Sequence, residues 1–125
     1  MQNSERLART TKQIGDYAEQ LAREYLETKG YKTLTKNYRY KNIGELDIVM
    51  TDSETLVFVE VRYRVNRSFG LPEATIGPTK QKRIRRTAEA YLLTSGIKNK
   101  PCRFDVIGVD IIGGHPVIRH LINCM

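Results

Sequence analysis

Apolar side chains recur at Ile14, Ala18, Leu21, Ala22 and Tyr25, the spacing that lines one face of a helix. This periodicity predicts an amphipathic helix over 13–29, closed by the basic Lys29 and the stop signal Gly30. Residues 31–34 read as a short strand, followed by a basic, aromatic stretch over 36–41 and a turn over 42–44. Two β-rich runs, 45–50 and 55–63, flank the polar Thr51-Asp52-Ser53-Glu54 and predict a hairpin. The next segment, 64–78, carries Gly70, Pro72, Gly77 and Pro78 with little periodicity, so it reads as a long loop of the kind that often carries function. Thr79 is placed to cap a second helix running to about Thr94, with an apolar stripe at Ile84, Ala88, Tyr91 and Leu92 and an end at Ser95-Gly96. Strands are predicted over 103–110 and 117–122, around Gly113-Gly114. The order α-β-β-β-α-β-β describes an α/β fold with a mixed β-sheet flanked by helices.

Composition narrows the class. A chain of 125 residues with 40% hydrophobic side chains can bury one core, so a single domain is expected over 13–125 behind a polar arm at 1–12. Lysine and arginine outnumber the acids 21 to 14, a net charge of +7, which favours a polyanionic partner. Nucleic acid fits better than a membrane surface, because no stretch approaches the roughly 20 apolar residues of a membrane span and the N-terminus lacks the apolar region of a signal peptide. The two cysteines, Cys102 and Cys124, cannot staple a domain of this size and suit a reducing compartment, so a cytoplasmic location is expected.

Candidate chemistry concentrates in the hairpin. Alternation along a regular strand puts Glu45, Asp47 and Val49 on one face and Leu46, Ile48 and Met50 on the other. Glu60 interrupts Leu-Val-Phe-Val-Glu-Val, a run apolar enough for both faces to be covered, and a buried carboxylate is costly unless it is paired or binds a cation. Two readings stand. In one, Glu60 pairs with Arg62, its neighbour roughly 7 Å along the strand. In the other, Asp47 and Glu60 supply hard oxygen ligands for Mg²⁺ or Mn²⁺. Glu45 is either a further metal ligand or a residue at the strand entrance.

The segment GELDIVMTDSETLVFVEVRYR, with GDYAEQLAREYLETKGY before it and CRFDVIGVD after it, closely resembles the YraN-like family of small uncharacterised bacterial proteins. The resemblance runs from Gly15 to Asp110 and implies a restriction-endonuclease-like, PD-(D/E)XK fold related to the Holliday-junction resolvases. It also implies a catalytic pattern of an acid on one strand, then acid, any residue and lysine on the next, with a glutamate on the first helix. By position, Asp47 is the strand acid, Glu60 the second acid and Glu19 the helical glutamate. Arg62 stands at the lysine position. A guanidinium can neutralise a developing phosphorane but cannot act as a base. Resolvase-like relatives often act as dimers, so a homodimer is a further implication. On residues alone, Glu19 lies at the margin of the packed helix face, and Gly15 one turn earlier would let that helix approach the sheet. Asp105 alternates with Phe104 and has Arg103 at hand as a partner.

Basic side chains form two groups. Lys80, Lys82, Arg83, Arg85 and Arg86 crowd the start of the second helix, where like charges and the positive helix end both disfavour them and phosphates would relieve both. Arg62, Arg64 and Arg67 add charge where strand meets loop, and Tyr38, Arg39, Tyr40 and Lys41 interleave aromatic and basic groups as nucleic-acid surfaces do. His115, His120, Cys124 and Cys102 lack the paired spacing of a zinc site. No glycine pattern for a nucleotide cofactor occurs. The leading expectation is therefore a metal-dependent nucleic-acid hydrolase, an endonuclease of structured DNA, of which branched DNA is one form. The alternative is a non-catalytic nucleic-acid-binding domain that retains the fold.

Overall fold

The structure is a computed structural model that describes residues 10–66 and 76–125. Its elements follow the predicted order: α1 (Thr11–Thr28), β1 (Lys32–Tyr40), β2 (Gly44–Asp52), β3 (Thr55–Val65), α2 (Pro78–Ser95), β4 (Cys102–Ile112) and β5 (His115–Leu121). The five strands form one sheet in sequence order. Neighbours are antiparallel except β3 and β4, which run parallel and are joined by α2. Each face of the sheet carries one helix. Ala18, Ala22 and Leu26 of α1 pack on Ile48, Met50, Val57, Val59, Ile107 and Val109. Ile84, Ala88 and Tyr91 of α2 pack on Val49, Leu56, Phe58 and Val106. β3, covered on both faces, is the apolar run that its sequence requires.

Three of the boundaries that differ from the sequence reading do so for a local reason. α1 starts two residues earlier, because Thr10 and Gln13 close a reciprocal capping box: the Gln13 amide donates to Thr10 Oγ1 and the Thr10 amide to Gln13 Oε1. The polar arm thus gives way to helix at Thr11. Thr79 is not the cap of α2; Gly77 takes that place without a side-chain bond, and Pro78 opens the helix, where its missing N–H costs nothing. β1 is not a short strand. It continues through the whole basic, aromatic stretch to Tyr40 as an edge strand, and an edge strand needs no apolar run to persist. At Gly44 the chain passes so close to α2 that an added Cβ would lie 2.6 Å from Thr87 Oγ1, and Thr87 is itself fully buried. The expected role of Gly15 does not hold in the same way: a Cβ there would sit in ordinary contact, 3.5 Å from the Tyr63 hydroxyl. Arg67 and most of the expected loop lie outside the described residues.

Candidate active site

Asp47 sits where the alternation of β2 changes phase. Leu46 and Ile48, two residues apart, would share a face in a regular strand, yet Leu46 packs in the α2 core and Ile48 in the α1 core. This overturns the expectation that Leu46, Ile48 and Met50 form one face. The cause lies in the ladders on both sides. β2 pairs with β3 from Asp52↔Thr55 to Ile48↔Val59 and no further. On the other side the register holds from Lys36↔Ile48 to Tyr38↔Leu46, but Asn37, which faces Asp47 between them, is not among the paired residues and has φ 53°. β2 therefore leaves β3 at Asp47, and the Asp47 carboxylate takes over from the ladder by accepting the Val61 N–H at 2.8 Å.

Into this opening project two further carboxylates. Glu60 comes from the α2 face of β3 and is 6% exposed. Glu19 comes from α1. Asp47 hydrogen-bonds to both of them. Burial and the neighbouring Glu60 charge push Asp47 up to about 9, and the Val61 amide only partly offsets this. Glu19 is also raised, by burial first and then by Glu45, Asp16 and Glu60, against the opposing bond to Asp47. Near neutral pH Asp47 therefore keeps its proton and shares it with the flanking glutamates. Glu60 is held by Lys80, whose Nζ lies 2.7 Å from Glu60 Oε2.

Asp47 forms part of the wall of two clefts. The larger, about 620 Å³, is lined by Arg39, Glu45, Glu60, Lys80 and Arg83 among others. The smaller, about 290 Å³, lies toward α1 and includes Lys12, Asp16, Glu19 and Arg23. Arg62, on the same face of β3 as Glu60, is partly buried and lies opposite Gly108 of β4. Glu45 is at the rim in an ion pair with Arg39 at 3.4 Å. The basic residues of α2 separate by helix face: Lys80 and Arg83 line the cleft, Arg85 stacks over Phe104 with its guanidinium carbon 4.9 Å from the ring centroid, and Lys82 and Arg86 are exposed. Arg64 points to Asp110 at 3.5 Å, and Arg119 meets the same carboxylate at 2.9 Å.

Sequence reasoning missed a second polar cluster, on the α1 face. Asp105 is fully buried and receives Arg103 Nε at 3.0 Å and the Asn123 amide at 2.9 Å, with His120 Nε2 at 2.8 Å. Burial would raise its carboxyl, but these partners outweigh it and hold Asp105 below the ordinary range. Arg103 also reaches Asp52 and the Tyr31 hydroxyl. The expected Arg103–Asp105 pair is thus one edge of a tie joining the segment before β1, β2, β4, β5 and Asn123 beyond it. His120 is committed to this tie.

Residues 18–109 match the Uncharacterised protein family UPF0102. The chain belongs to the UPF0102 family, that of the YraN-like proteins. It is 46% identical over 101 residues to a UPF0102 protein of Nitrosococcus oceani, covering 80% of this chain and 81% of that one. A UPF0102 protein of Clostridioides difficile is 41% identical over 112 residues, or 90% of this chain and 96% of its own. One of Coxiella burnetii is 46% identical over 100 residues, or 79% and 82%. The match includes Glu19, Asp47, Glu60, Arg62 and the whole of α2.

Proposed function

We propose that this UPF0102 chain is a Mg²⁺- or Mn²⁺-dependent phosphodiesterase that cuts structured DNA. The observation that carries the reading is the gathering of Glu19, Asp47 and Glu60 from α1, β2 and β3 at the point where β2 leaves β3, beneath a cleft walled by Lys80, Arg83 and Arg39. Crowded carboxylates, one buried and two partly buried, are costly to keep in a fold, and a divalent cation relieves that cost. Among the described residues no group of three or more His, Cys, Asp and Glu side chains is arranged to hold an ion. Two carboxylates suffice for Mg²⁺, which keeps several waters and takes the rest of its shell from substrate phosphate. Asp47 and Glu60 are the residues that would hold it, and the bound ion would activate water and neutralise charge on the phosphate. Glu19 would accept the proton that Asp47 gives up on becoming a ligand. Arg39, Arg83 and Lys80 would position the phosphate backbone. Such a substrate is found in the cytoplasm. No helix among the described residues is long and apolar enough to cross a membrane.

One observation favours the alternative of a binding domain without catalysis: Asp47 is already satisfied by Val61 N–H and its two glutamates. Cleavage of a four-way junction and a flap in Mg²⁺ or Mn²⁺ separates the two. The hydrolase reading expects Asp47→Asn and Glu60→Gln to lose about 10²-fold or more in rate while DNA binding in EDTA persists. Cleavage by Asp47→Asn at the wild-type rate would mark a contaminant and leave only the binding domain.

A further inference from the structure

The structure assigns to Lys80 the role of the cation that neutralises the reacting phosphate, supplied from the first turn of α2 and held in place by Glu60. This inference rests on the hydrolase reading and deepens it. Three observations converge on Lys80. Its ammonium lies 2.7 Å from a carboxylate that is 6% exposed, while the lysine side chain itself is 49% exposed, so the charge is fixed on one side and open to the cleft on the other. It stands in the first turn of a helix whose cap residue, Gly77, makes no side-chain bond, so the positive helix end repels it and Glu60 must hold it there. Its neighbours in the cleft are Asp47, Glu60 and Arg83, whereas Lys82 of the same helix is absent from the cleft lining. A lysine needed only for long-range attraction to phosphate would be at no disadvantage on the exposed face with Lys82 and Arg86.

The chemistry asks for such a group. In hydrolysis the oxygen of water bonds to phosphorus and one P–O ester bond breaks, leaving a phosphomonoester and a hydroxyl. One water proton ends on the departing oxygen. The other remains with the phosphomonoester. Negative charge builds on the non-bridging oxygens in between, and a preorganised cation at that place acts on the rate rather than on binding alone. Lys80 acts only as a fixed cation and transfers nothing. Arg62, two residues along β3 and roughly 7 Å farther on, is absent from the lining of that cleft.

Single-turnover cleavage of a junction at saturating DNA, with affinity measured separately by anisotropy in EDTA, tests the assignment on wild type, Lys80→Met, Lys80→Arg and Asp47→Asn. Lys80→Met keeps the aliphatic stem and should cut about 10²-fold more slowly with affinity changed less than about 5-fold. Lys80→Arg, which restores a cation, should recover at least about 10-fold of that loss. A metal-free readout accompanies these. The Lys80 amine should react with an acylating reagent more slowly than that of the exposed Lys98, and Glu60→Gln should abolish the difference. Asp47-dependent cleavage that survives Lys80→Met overturns the assignment of Lys80 and leaves the hydrolase standing. A loss confined to affinity makes Lys80 a phosphate contact and overturns the assignment too, as does equal acylation of Lys80 and Lys98 in the wild type. Absence of Asp47-dependent cleavage by the wild type overturns the hydrolase reading and this one with it.

Discussion

Asp47 is held in a state that costs stability. Its carboxyl titrates near 9 in the folded chain, because of burial and then Glu60, against about 3.9 for a free aspartate. Between these values the folded chain binds the extra proton, so the Asp47 contribution is whole below about pH 4 and is lost as pH rises toward 9. Asparagine imitates the protonated acid: its carbonyl can accept Val61 N–H and its amide can donate to Glu60 or Glu19. Asp47→Asn should therefore be more stable than wild type at pH 8, by about 0.5–2 kcal/mol, and nearly equal at pH 4. Urea denaturation at the two pH values measures this, and a variant less stable at pH 8 would show that the carboxylates do not crowd. The same substitution should abolish cleavage, the usual exchange of stability for function at a site of this kind.

At the scale of the element, the site depends on how closely β2 passes under α2. Gly44 opens β2 three residues before Asp47, and a methyl group there would lie 2.6 Å from Thr87 Oγ1, a hydroxyl fixed to the Arg83 carbonyl at 2.7 Å. Relief requires either β2 or α2 to move, and α2 carries Lys80 and Arg83. Gly44→Ala should cost about 1–3 kcal/mol. It should also displace the cleft, slowing cleavage more than the stability loss explains. A variant with unchanged melting temperature would show that Thr87 can turn away freely. Gly96, at φ 68° beyond α2, closes that helix in the left-handed conformation that glycine adopts without strain.

The whole molecule carries its excess charge unevenly. Several cations are already engaged: Arg103 with Asp52 and Asp105, Arg64 and Arg119 with Asp110, Arg39 with Glu45. The exposed side of α2 and the cleft rim hold Lys82, Arg83 and Arg86. DNA affinity should fall with log salt at a slope near −0.9 per phosphate neutralised. Arg83→Ala and Arg86→Ala should each shallow that slope by up to about 0.9, and Arg85→Ala by less, because Arg85 is stacked on Phe104. Anisotropy titrations between about 50 and 200 mM salt read the difference. Equal slopes for all variants would put the DNA on another face.

Element type and order were legible because helix and strand periodicities are local. The stripe Ile14, Ala18, Leu21, Ala22 and the β-rich run over 55–63 need no knowledge of a partner, and they predicted α1 and β3 within two residues at each end. The candidate acids were legible for the same reason: Glu60 stands out as a charge in an apolar run. β1 was read short because an edge strand is exposed enough to resemble a loop. Tertiary structure alone decided the rest. The phase change at Asp47 arises where the ladder to β3 stops and the ladder to β1 skips a pair, and neither ladder is a property of β2 by itself. The pairing of Glu60 with Lys80, twenty positions on, and the tie of Asp105 to His120 and Asn123 depend on which elements the sheet and its crossover bring together. Charge partners across such separations leave no periodic trace in a chain, since only the folded path sets their distance.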